Sequence, residues 1–149
     1  VPETLEHLLS LKEKDILFVG IGNRLKSDDG VGVFISERIE KRENISSLTV
    51  ETGIENYIGK INKLSPDLIV LIDCADLKMA PGTSKLLPVE EILDMTFNTH
   101  TISLRRITEF FRMPVFVLAI QPEKIDFGEI MSYLVMQEAE ELVRSINNP

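Results

Sequence analysis

The side chains of this chain that can do chemistry are few, and most are acidic. Asp28 and Asp29 stand together in the turn Asp28-Asp29-Gly30. Asp73 closes an apolar run, with Cys74 next to it and Asp76 close behind, and His100 sits in Thr99-His100-Thr101. Gln121 ends a second apolar run. Asp29, Asp73 and His100 would make an open set of two carboxylates and one imidazole. Such a set suits a borderline divalent ion such as zinc or nickel and leaves positions for substrate or water. A carboxylate in such a site can also act as a general base. The chain has only two histidines, so metal or acid–base chemistry must lean on its carboxylates.

Each of these residues also has a plainer use. One Asp of the 28–29 pair can cap the helix that follows, but a cap needs one carboxylate, not two. His100 can cap the next helix. Asp73 is harder to explain away, because a carboxylate at the end of a buried strand needs donors, a cation or solvent. Strand alternation turns Cys74 to the face opposite Asp73, which makes it a buried, inert thiol. Gly20-Ile-Gly22 opens like a dinucleotide fingerprint, yet Leu25 fills the third glycine position. The set Asp28, Asp29, Asp73 and Lys124 loosely resembles a phosphoryl-accepting receiver. There, however, the acidic pair directly follows the first strand. Neither an HExxH zinc motif nor a GxSxG elbow is present.

The elements that must position these groups follow from periodicity. Asp15 to Gly22 reads as a strand running into a polar loop, and from Val31 a helix leads to the charged end Glu40–Glu43. Leu48–Thr52 reads as a strand and Tyr57–Leu64 as a helix stopped by Ser65-Pro66. Asp67–Asp73 and Pro114–Gln121 are strands apolar enough to be buried on both faces, as in a parallel sheet. Ser84–Leu87 is a short strand, Pro88–Met95 a helix with Pro in its first turn, and Thr99–Phe111 an amphipathic helix. Gly128–Ile146 is a long terminal helix, and Pro2–Lys12 a short surface helix. Alternating strands and helices predict a three-layer α/β domain with a mostly parallel sheet. Sites in such sheets form beyond the carboxyl ends of the strands, where Asp29, Asp73, His100 and Gln121 all fall.

Composition narrows the function classes. The chain has 149 residues, 44% hydrophobic and 27% charged, which fits one folded domain over 1–149 with residues 1–14 as an N-terminal extension. With 16 basic and 24 acidic residues its net charge is −8, which argues against nucleic acid as a partner. No apolar run is long enough to insert in a membrane. A single cysteine excludes an internal disulfide and points to a reducing cytoplasm. The acidic residues Glu138, Glu140 and Glu141 of the terminal helix read as solvated surface.

Taken in order, the motifs resemble a known family. Gly22-Asn23, Asp28-Asp29-Gly30-Val31-Gly32, Leu71-Ile72-Asp73-Cys74-Ala75-Asp76, Pro81-Gly82, Thr99-His100 and Ile120-Gln121-Pro122 are similar to the signature of the [NiFe]-hydrogenase maturation endopeptidases. The likeness is greatest to the branch acting on formate-hydrogenlyase-type large subunits. Two stretches depart from the pattern: Glu51-Thr52-Gly53 replaces an acidic-Gly-Gly stretch, and Asp73-Cys74 replaces Asp-Ala. The resemblance implies a twisted five-stranded sheet with helices on both faces. It also implies an endopeptidase that removes the C-terminal extension of a hydrogenase large-subunit precursor after nickel insertion. Asp29, Asp73 and His100 fall on the family's metal-holding positions, with Asp28 in support. The expected metal is nickel borne by the precursor, with zinc or cadmium able to substitute in vitro, and the expected state is a cytoplasmic monomer. The competing expectation is a non-catalytic metal-sensing module that checks hydrogenase maturation.

Overall fold

The computed structural model describes residues 2–92, 106 and 108–149. Two apolar strands, β1 (Ile16–Ile21) and β5 (Val115–Ile120), are buried at every residue, so both faces of the sheet must be covered. The sheet is completed by β2 (Ile45–Glu51), β3 (Leu68–Cys74) and β4 (Ser84–Pro88), in the order β2-β1-β3-β5-β4. All pairs are parallel except β4 against β5, which is antiparallel and forms one edge. This is the α/β class, with the five-stranded, mostly parallel sheet, that the strand pattern and the resemblance imply.

Residue parity divides the core in two. Ile16 and Phe18 of β1, Val70, Ile72 and Cys74 of β3, and Phe116 and Leu118 of β5 share one face. They meet α1 (Leu5–Leu9), α2 (Val31–Ser36) and α4 (Tyr133–Asn147) through Leu8, Ile35, Val135, Ala139 and Ile146. Leu17, Val19, Ile21, Ile69, Leu71 and Val117 share the other face, against Ile61 of α3 (Ile58–Leu64) and Ile54, Val89 and Phe111.

Several boundaries differ from expectation, among them the start of β2, at Ile45 and not Leu48. The first helix is not a surface helix, because Leu5, Leu8 and Leu9 enter the core and Thr4 Oγ1 caps it by accepting the His7 N–H at 3.1 Å. The helix from Val31 stops at Ser36, since the following segment donates elsewhere: Glu40 N–H to Asn147 Oδ1 at 2.8 Å and Arg42 to the Ile146 carbonyl at 2.6 Å. Pro88 ends the edge strand opposite Phe116, where its missing N–H costs no ladder bond. The described residues that follow it form a 3-10 turn, Val89–Glu91. The terminal helix starts at Tyr133, not Gly128. The end of the helix expected from Pro88 and most of the one expected over Thr99–Phe111 lie outside the described residues. Among those described, no helix is long and apolar enough to cross a membrane.

Close packing at the carboxyl end of the sheet depends on glycine. A Cβ on Gly32 would stand 2.1 Å from the Ile72 carbonyl oxygen and 2.4 Å from that of Ile21. Only hydrogen fits there, and so α2 can press onto the ends of β1 and β3. Gly22 has φ +140°, and a Cβ there would meet the Asp29 carbonyl at 1.9 Å. Gly59, within α3, has nothing within 4 Å of the same position. Gly32→Ala should therefore cost about 1–3 kcal/mol by overpacking against rigid backbone. Gly59→Ala should gain roughly 0.5–1 kcal/mol from helix propensity. Urea unfolding of the two variants beside the parent checks both signs.

Candidate active site at the carboxyl edge

The chain leaves β1 toward β2 on one side and later returns to place β3 on the other. The strand order therefore reverses between β1 and β3. In open α/β sheets a crevice opens outside the carboxyl ends at such a switch point. Asp29 follows β1 and Asp73 is the penultimate residue of β3, so the two carboxylates flank this point. The contact of Gly32 with Ile72 fixes how near the two chains come.

Asp29 sits in a buried 3-10 turn, Ser27–Gly30, that runs straight into α2. Its Oδ2 accepts the Asn23 N–H at 3.1 Å, while Asn23 Oδ1 accepts the Leu25 N–H at 2.9 Å and shapes the loop. Asp73 is equally buried, and its Oδ1 accepts the Cys74 N–H at 2.8 Å. Both carboxylates take part in further interactions beyond these. His100, the third expected member of the site, lies outside the described residues. Among those described, no group of three His, Cys, Asp or Glu stands together to hold a metal. What can be described is two buried carboxylates, each accepting a backbone N–H.

Asp28 does something else. Its carboxylate is fully buried and accepts four hydrogen bonds: Oδ2 from the Glu123 and Lys124 N–H groups at 2.8 and 3.0 Å and from Ser132 Oγ at 2.7 Å, and Oδ1 from the Ser132 N–H at 2.6 Å. Ser27 N–H adds a bond to the Gly128 carbonyl at 2.7 Å, and Gly128 N–H one to Leu25 at 2.8 Å. The loop from β5 to α4 is thereby fastened to the loop carrying Asp29. This is also why α4 starts late: the Ser132 N–H, which a helix from Gly128 would turn to the Gly128 carbonyl, is spent on Asp28. Lys124 meets the acidic pair through its backbone N–H, not as a receiver lysine would through its ammonium.

The neighbours were only partly foreseen. Gln121 turns into the β3–β4 connection, where Oε1 accepts the Leu77 N–H at 2.6 Å, and so it shapes a loop. Asp76 pairs with Lys78 at 2.8 Å, and the ammonium holds its carboxyl below the usual range. Cys74 points into the core on the face opposite Asp73. Burial first, and then the charges of Asp73, Asp29 and Asp28, push its thiol far up and keep it protonated. Arg24 was missed: it donates to both oxygens of Glu37 at 2.6 and 2.8 Å and to Glu51 at 3.1 Å. It thereby ties the loop to α2 and to the end of β2, and hydrogen bonding to it lowers the Glu37 carboxyl. Ser132 was missed too, since nothing in sequence links it to Asp28, 104 positions away.

A mostly parallel sheet with helices on both faces and buried carboxylates at its switch point defines an α/β domain with an acidic candidate site. Comparisons with known proteins narrow this further. The family model described as hydrogenase maturation protease matches residues 30–148. A chain named as a hydrogenase maturation protease in Methanocaldococcus jannaschii is 30% identical over 131 residues, covering 78% of this chain and 78% of that protein. The hydrogenase 3 maturation protease of Escherichia coli is 26% identical over 113 residues, 72% of each. The crystal structure of the [NiFe] hydrogenase maturation protease HycI from Thermococcus kodakarensis superposes with a TM-score of 0.78 at 27% identity, covering 95% of this chain and 99% of that one. The chain belongs to the hydrogenase maturation protease family and is a peptidase.

Two measurements test the roles given to these neighbours. Asp28→Ala strands buried donors and should lower stability by at least about 3 kcal/mol in urea unfolding. Cys74 in the native protein should resist iodoacetamide at pH 8 and react only once the chain is unfolded, as mass spectrometry of the two states would show.

Proposed function

We propose that this peptidase removes the C-terminal extension of a [NiFe]-hydrogenase large-subunit precursor, and that nickel already seated in the precursor marks it for cleavage. The observation that carries the reading is the pair of buried carboxylates, Asp29 and Asp73, on either side of the switch point in a chain of this family. A protease that reads a metal in its substrate needs donors at an open edge, not a closed cage of its own. Asp29, Asp73 and His100 are the residues assigned to that edge.

The chemistry asked of the chain is modest. Water adds to the scissile carbonyl, the C–N bond breaks, and the water proton passes to the leaving amine. One of the two carboxylates takes the proton and later returns it. The precursor's metal supplies Lewis acidity to the carbonyl. Asp28 takes no part, since all its capacity goes to the 123–132 loop. A lone buried thiol is in keeping with a reducing cytoplasm.

The deciding experiment incubates the purified protein with its precursor, loaded with nickel or left without it, and follows precursor mass. With nickel, wild-type protein should remove a C-terminal fragment; without it, the precursor should stay whole. Asp29→Ala, Asp73→Ala and His100→Ala should each lower kcat/KM by about 10²–10⁴, the usual loss for a general base. Full activity in all three removes the site. Stable association with no mass loss makes the chain a sensing module instead.

A further inference from the structure

Beside the candidate site, large apolar side chains stand in water. Phe127 is 88% exposed, Ile130 80%, Tyr133 72% and Leu25 54%. Single exposed apolar residues are ordinary, but a cluster is not. A parallel bridge between Lys26 and Gly128 places Leu25 alongside Phe127. Ile130 follows in the same loop, and Tyr133 opens α4.

These side chains are not out because the loop is loose. Asp28 grips the loop at Glu123, Lys124 and Ser132, and Ser27 Oγ donates to the Asp126 carbonyl at 3.0 Å. A backbone fastened this way cannot turn Phe127 and Ile130 into the core, which α4 already closes with Val135, Ala139, Leu142 and Ile146. Their exposure is built in, and covering them falls to another molecule.

We infer that Leu25, Phe127, Ile130 and Tyr133 form the surface on which the folded body of the hydrogenase precursor docks, separately from the tail that is cut. The inference rests on the processing activity proposed above. Continuity with the site supports it. A groove lined by Gly22, Asn23, Leu25, Glu51 and Glu129 leads from Leu25 to Gly22-Asn23, and the Asn23 N–H holds Asp29. A partner seated on the patch lies beside the loop whose Asn23 N–H holds Asp29. Charge around these side chains is mixed, with Arg24, Lys26 and Lys124 beside Glu123, Asp126 and Glu129. The position of the patch next to the candidate site, not charge, therefore selects the precursor over a second copy.

The test measures binding of immobilised nickel-loaded precursor, cleavage kinetics and sedimentation for three variants of the full chain. Phe127→Ser with Ile130→Ser should weaken binding at least tenfold and raise KM, with the melting temperature unchanged. Tyr133→Ala, on a different element, should act in the same direction. Leu64→Ser, which alters an exposed residue at the amino edge, should match wild type. Binding and KM unchanged in the first two variants overturns the docking surface while leaving processing intact. Wild-type binding that the variants abolish, with no cleavage by either, keeps the surface and overturns processing. Wild-type self-association lost in the variants makes the patch a contact between copies and overturns the inference, as does a wild-type chain that does not bind the precursor at all.

Discussion

A carboxylate buried without a counter-ion is among the more expensive groups a small domain can carry, and Asp28 is tolerated because four donors converge on it. Those donors come from the loop between β5 and α4, about a hundred positions away in the chain. The bonds therefore act as a long-range fastener. They set where α4 begins, hold Gly128 against the loop after β1, and fix the backbone on which Asp29 rides. The late start of α4 follows, since the Ser132 N–H that would extend the helix back to Gly128 is held by Asp28.

The second constraint is the distance at which α2 meets the sheet. Gly32 lies against the carbonyls of Ile21 and Ile72, and Gly20 against Ser36, whose hydroxyl also meets Thr49 Oγ1 at 2.7 Å. The glycines bring the turn bearing Asp29 down onto the end of β3, where Asp73 waits. Cys74 records the result from the other side of the sheet: the charges of Asp73, Asp29 and Asp28 all bear on its thiol. Three carboxylates crowd one edge, and the cost of crowding them is met by backbone donors.

Much of this was readable from residue types. The two fully apolar strands announced a sheet buried on both faces, and their polar ends named the edge where Asp29 and Asp73 lie. The ordered motifs named the family. Helix limits were less readable, because they are set by bonds between distant segments. Ser36 ends α2 since Glu40 and Arg42 bind the end of α4, and Tyr133 begins α4 since Ser132 binds Asp28. Pro88 was placed in a helix because Pro favours a first turn, yet an edge strand accepts it equally well. Arg24 escaped notice for the same reason as Ser132, its partners Glu37 and Glu51 being local only in space.

The adjacent aspartates show how one dipeptide serves two purposes. In a 3-10 turn successive side chains project in different directions, so Asp28 can point at the 123–132 loop while Asp29 turns back to the Asn23 N–H. A single carboxylate could not do both, because the oxygens that hold a loop are no longer available to a substrate. Placing the two side by side couples them mechanically instead. Anything that strains the fastened loop is passed, through one peptide bond, to the carboxylate assigned to the cleft. The position of Asp29 and the presentation of Phe127 and Ile130 are thus set by the same four hydrogen bonds.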